Sequence, residues 1–143
     1  MSTLERAIEI AIAAHAGQLD KAGQPYIFHP IRVMNRVGDD YEKMTAVLHD
    51  VVEDTAITLE NLVREGFPDE VLRAIDALTK RPGETRLEAA MRAALDPIGR
   101  AVKLADNAEN MDLSRIPNPT EQDYARCREY EQVRTLLLAA GNI

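Results

Sequence analysis

The sequence predicts an all-α fold, a compact helical bundle forming one domain over 1–143. Three observations predict it. Apolar residues recur at helical rather than alternating spacing along most of the chain. Hydroxyl residues stand three positions before an acid at Ser2/Glu5, Thr85/Glu88 and Thr120/Asp123, the pattern of reciprocal helix N-capping. Nothing resembles a strand pair, an internal repeat or a low-complexity tract, and glycines and prolines punctuate the helical segments.

Taken in order, Ser2 with Glu5 opens a first helix carrying Leu4, Ala7, Ile8, Ala11, Ile12 and His15, ended by Gly17. "QLDKAGQPY" is a loop. Pro30 suits a first-turn position, so a helix starts just after His29 and ends near Gly38. Another runs from about Tyr41 to Glu53. Thr58 caps a short helix closed by Gly66, and Pro68 with Asp69 opens one through about Thr79. "KRPGET" is a turn. Thr85 with Glu88 starts a helix to Leu95, and Pro97 starts one to about Asp112. "SRIPNPT" is a rigid linker before a last helix that ends ahead of Gly141; its apolar residues Val133, Leu136 and Leu137 pack internally or across a homodimer.

Composition narrows the function classes. The chain of 143 residues is 45% hydrophobic and 29% charged, an ordinary globule large enough for a real core. A formal charge of −7 with no basic stripe argues against nucleic acid as a partner. No apolar run reaches membrane-spanning length, so no membrane partner is expected. One cysteine, Cys127, excludes an internal disulfide framework, and Glu5, Arg6 and Glu9 interrupt any signal-peptide pattern, so a cytoplasmic location is expected.

The segment "AVLHDVVEDT", 46–55, carries the chemistry. Treated as helix at about 100° per residue, it puts His49, Asp50, Glu53 and Asp54 on one face and Val47, Leu48, Val51 and Val52 on the other. Three clustered carboxylates repel and raise one another's pKa unless a cation offsets them, and a metal does that. His15 lies on an apolar stripe and reads as a packing residue. His29 precedes Pro30, where the backbone is expected to be held extended. In "VKLADNAENM", 102–111, Asp106 and Asn110 share a helical face. His29, His49, Asp50 and Asp106 then form a mixed nitrogen and oxygen donor set. It suits Mn²⁺, Fe²⁺ or Zn²⁺ better than Ca²⁺. Glu53 and Asp54 lie one turn on. A metal that acidifies water, beside a carboxylate that takes its proton, suits hydrolysis at phosphorus.

"HAGQLDKAGQPYIFHPIRV", "AVLHDVVEDT" and "VKLADNAENM", with "ITLENL" and "IDALTK" between the last two, resemble in order and spacing the HD-superfamily hydrolase domain of RelA/SpoT homologues. The resemblance spans roughly 7–112 and is nearest the small alarmone hydrolase type, which lacks a synthetase domain. It implies a helical bundle of the HD type, with Mn²⁺ or another divalent metal held by His29, His49, Asp50 and Asp106. It implies that Glu53 and Asp54 position and activate the water. It implies a small nucleotide substrate: the 3′-pyrophosphate of guanosine tetra- or pentaphosphate is removed, with Lys21 and Asn110 on the substrate. The chain departs from the pattern at Asp20, where the family has arginine, at Asn107, Ala108 and Glu109, and at Asp112 and Leu113. These changes make the recognition shell more acidic and keep two further readings open. One is an HD phosphohydrolase for another nucleotide or small phosphate ester; the other is a metal-stabilised binding module with little turnover. Arg32, Arg36, Lys80, Arg81 and Lys103 are candidate compensating cations, most of them expected to be solvated surface.

Overall fold

The computed structural model describes residues 2–140, and among them the chain forms nine α-helices and no strand ladder. These are α1 (Leu4–Ala14), α2 (Phe28–Met34), α3 (Asp40–Leu48), α4 (Val51–Asp54), α5 (Leu59–Glu65), α6 (Asp69–Leu78), α7 (Arg86–Ala94), α8 (Pro97–Met111) and α9 (Glu121–Ala140). Most starts are set locally. Asp39, Thr58 and Thr85 each accept from a backbone N–H three residues on, and the residue there bonds back to the cap. Gly66 closes α5 at φ 86°, a left-handed turn that costs glycine nothing.

Two starts differ from expectation. Thr3, not Ser2, caps α1 by accepting from the N–H of Arg6, while the Ser2 hydroxyl donates to the carbonyl of Glu65. A distant acceptor therefore takes the hydroxyl that local spacing assigns to the cap. α2 begins at Phe28, so His29 is helical rather than extended. The N–H groups of Phe28 and His29 bond the carbonyls of Pro25 and Tyr26, winding a turn ahead of Pro30, which still sits in the first turn where it needs no donor.

α3 is the central helix, packed by α1, α2, α6 and α8, while α7 and α9 pack on each other and on α8. The main core joins Ala7, Ile10 and Ala11 of α1 to Met44, Val47 and Leu48 of α3, Leu62, Val71 and Ile75. A second cluster, Val33, Ala46, Val102 and Ala105, ties α2 and α3 to α8. The apolar face of α9 turns inward: Val133 and Leu137 are buried against Ala90, with Leu104 beside them. The expected stop at Gly141 lies outside the described residues. No described helix is long and apolar enough to cross a membrane.

Leu48 is wholly buried one residue before His49. Leu48→Ala is expected to cost about 2–5 kcal/mol, the lost transfer energy plus a cavity. The check is urea unfolding, and a loss below about 1 kcal/mol would mean the site collapses freely.

The 77–84 segment has a different anchor. Arg92 donates to both carboxylate oxygens of Glu84 and to the carbonyls of Ala77 and Thr79. The Arg92 bonds and a donated N–H from Arg81 hold the Glu84 carboxyl down at about 2. A depressed carboxyl stabilises the fold above its unfolded value, about 4.3, and that contribution is lost as pH falls through its folded value. Glu84→Gln is therefore expected to lower the unfolding temperature at pH 7 and to match the parent near pH 2. Equal differences at both pH values would show that the charge is not what acts.

Candidate functional site

The expected helix over 41–53 is broken where the chemistry sits. α3 ends at Leu48 and α4 begins at Val51, with His49 and Asp50 between them. In a continuous helix the N–H of Asp50 would bond the carbonyl of Ala46. That carbonyl instead takes the N–H of His49 and its ring Nδ1. A carbonyl only accepts, so Nδ1 carries the proton and Nε2 faces the site.

Three segments then converge. His29 comes from α2, His49 and Asp50 from the α3–α4 junction, and Asp106 from α8. His29, His49 and Asp50 each present a donor atom within 4.8 Å of the others'. Asp106 lies against both imidazoles, its Oδ1 2.8 Å from Nε2 of His29 and 3.3 Å from Nε2 of His49. Nε2 of His49 is also 3.1 Å from Oδ2 of Asp50. His29, His49 and Asp106 are buried.

This arrangement demands a positive charge. A neutral His49 would aim its Nε2 lone pair at two carboxylates. Burial alone would push protons off His49, yet the charge of Asp50 and the bonds to Asp106 and Asp50 hold its pKa well above the usual imidazole range. Burial opposes ionisation of Asp106 too, and the bonds from His29 and His49 and the His49 charge hold it well below the usual carboxylate range. A divalent cation answers the same demand in place of protons, and two imidazoles with two carboxylates are the donor chemistry for one. The donor set fits a metal.

The remaining predicted residues take separate places. Glu53 and Asp54 stand at the solvent rim of the cluster. Partial desolvation and the charge of Asp50 raise the pKa of both carboxyls. Lys21 and Asn110 line a cavity of about 280 Å³ that opens beside the cluster and shares His29 with it. His15 is buried, as its spacing implies; its ring tilts against Tyr26, and Gln18 bonds both its Nδ1 and the Asp54 carbonyl. Sequence reasoning missed Tyr26, whose hydroxyl donates to Asp50 and orients it. The sequence carried no signal for it, since "QLDKAGQPY" reads as a loop and the turn that sets Tyr26 beside His29 is seen only in the structure.

No family model matches the chain. It is 38% identical over 134 residues to the bifunctional (p)ppGpp synthase/hydrolase RelA of Mycobacterium tuberculosis, covering 85% of this chain and 18% of that protein. It is 32% identical over 120 residues to the guanosine-3′,5′-bis(diphosphate) 3′-pyrophosphohydrolase of Aquifex aeolicus, covering 76% of this chain and 17% of the relative. The chain spans less than a fifth of the length of either. A solved structure of a metazoan SpoT orthologue that hydrolyzes ppGpp matches 96% of this chain and 86% of its own, with TM-score 0.78 at 23% identity. The chain belongs to the HD-type hydrolase domains of RelA/SpoT homologues.

In this RelA/SpoT-type domain the departures from the family pattern are coupled. Glu109 is buried and adds no free negative charge: Arg32 and Arg36 donate to it at 3.1 and 2.8 Å. Those two arginines, both among the candidate compensating cations, are partners of Glu109. Arg81 pairs with Asp76, and Lys103 lies 3.6 Å from Asp106. Asp20 is not a loose anion either. Its Oδ1 accepts from the N–H groups of Ala22 and Gln24, which holds the 20–24 loop in shape. Its Oδ2 lies 3.6 Å from Arg115, a residue of the "SRIPNPT" linker that the sequence reading passed over.

Proposed function

We propose that this domain is a metal-dependent hydrolase that removes the 3′-pyrophosphate from guanosine tetra- or pentaphosphate, giving GDP or GTP and pyrophosphate. The observation that carries the reading is the His29, His49, Asp50 and Asp106 cluster with two rim carboxylates beside it. The names borne by the Aquifex and Mycobacterium relatives support the substrate class.

His29, His49, Asp50 and Asp106 would hold the ion, Mn²⁺ by the resemblance. When bound it supplies acidification of water and offsets phosphate charge. The chain does the rest. Asp54, with Glu53 beside it, orients a water and takes its proton, and a raised carboxyl pKa makes a better base. The water oxygen bonds the phosphorus attached to O3′, the O3′–P bond breaks, and O3′ leaves with a proton. Lys21 and Asn110 hold the nucleotide in the cavity. Tyr26 stays a donor to Asp50 because burial and the Asp50 charge push its hydroxyl pKa up. The pairing of Glu109 with Arg32 and Arg36 weakens the case for a different phosphate ester, which leaned on a more acidic recognition shell.

The test is anion-exchange product analysis after incubation with Mn²⁺ and guanosine tetraphosphate. GDP with pyrophosphate is expected. Unchanged substrate from protein that holds its metal would overturn the reading.

A further inference from the structure

The cavity beside the metal cluster is lined by four cations, Lys21, Arg32, Arg115 and Arg126, and by four carboxylates. Charge counting alone gives no net field. Hydrogen-bond saturation separates the two sets. Both oxygens of Glu109 accept from Arg32 and Arg36. Asp112 accepts from the N–H of Ser114, and Asp123 accepts from Thr120 and Arg126. Asp20 accepts through Oδ1 alone, so each of the four carboxylates already accepts at least one hydrogen bond.

The cations are less engaged. Nη2 of Arg32 is buried with no hydrogen-bond partner. Lys21 forms no ion pair among the described residues, and partial desolvation and the Arg126 charge hold its pKa below the usual lysine value. Arg115 makes no hydrogen bond among the described residues. Its guanidinium stands 3.6 Å from Oδ2 of Asp20 and 3.9 Å from Oε2 of Glu109, beyond bonding distance of either. Oδ2 of Asp20 is likewise buried without a hydrogen bond. The guanidinium is held over the cavity by charge while its N–H groups stay unspent, which is the condition for bidentate capture of a phosphate.

We propose that Arg115, with Lys21, binds the 5′-diphosphate of the nucleotide, and that Asp20 competes with that phosphate for Arg115. The identity of the nucleotide rests on the function proposed above; the binding itself does not depend on turnover.

GDP carries the 5′-diphosphate and lacks the 3′ group, so it probes this site apart from the reacting one. Calorimetric titration of GDP and of guanosine into the parent, Arg115→Gln and Asp20→Asn separates the possibilities. Arg115→Gln is expected to weaken GDP roughly ten-fold or more, the loss of a charge-assisted contact. Asp20→Asn keeps the Oδ1 acceptor of the loop and removes the competing charge, so GDP should bind about three-fold tighter, a fraction of one such contact. Guanosine should bind alike in all three. Four results overturn the proposal: GDP affinity unmoved by Arg115→Gln, guanosine weakened as much as GDP, GDP weakened by Asp20→Asn, or no GDP binding by the parent. The second and third would make the pair a structural latch on the loop. The predicted shifts without pyrophosphate release from guanosine tetraphosphate would count against the proposed reaction and leave this site standing.

Discussion

Asp54→Asn is expected to keep the metal and the fold and to lower turnover on the order of 10²–10⁴-fold, the usual cost of removing a general base. Asp54 is solvent-exposed at the rim of the cluster, so the isosteric amide leaves no buried group unpaired. Its pKa is raised by partial desolvation and by Asp50, which favours proton uptake, and the amide cannot take a proton. The loss should appear in kcat, with little change in KM, because the proton transfer belongs to the transition state. Steady-state pyrophosphate release and metal content by atomic emission are the two measurements. Turnover within a few-fold of the parent would remove Asp54 from the reaction and transfer the base role to Glu53.

His49→Ala should do broader damage. His49 is buried, and its Nε2 stands between the carboxylates of Asp50 and Asp106. Without the imidazole these acids face each other with one donor fewer and no charge from that side. Breaking a buried ionic cluster by removing one partner costs about 3–5 kcal/mol. The stabilisation linked to metal binding is lost as well, since an ion that binds only the folded chain stabilises it by mass action. The unfolding temperature of the parent should rise with added Mn²⁺, and that of His49→Ala should start lower and stay flat. Full metal occupancy in the variant would show that the ligand set has been misassigned.

These predictions concern residues that were named from the sequence, and the reason is local. His49, Asp50, Glu53 and Asp54 stand in one short segment whose charges conflict with its apolar residues, and His29 and Asp106 joined them through the motifs that carry the family resemblance. The cavity residues carry no such mark. Arg115 reads as one more charge in a proline-rich linker, and Glu109 reads as an added acid. Their meaning lies in pairings such as Arg32 with Glu109, 77 residues apart.

The helical class, the element order and the caps at Thr58 and Thr85 were determined by the sequence itself, because a cap and its partner are three residues apart and need nothing else. The same holds for Gly66, whose positive φ is a local demand. Tertiary structure alone decided three things. At the helix break the His49 ring is met on its far side by Asp106, 57 residues on. Ser2 leaves its cap because the Glu65 carbonyl is in reach. Glu109 is paired because Arg32 of α2 and Arg36 just after it pack onto α8, while Arg115 of the α8–α9 linker only approaches Asp20. Short-range hydrogen bonds can be read from spacing, whereas competition for one acceptor, or one charge, among groups far apart in the chain is settled only once the helices have packed.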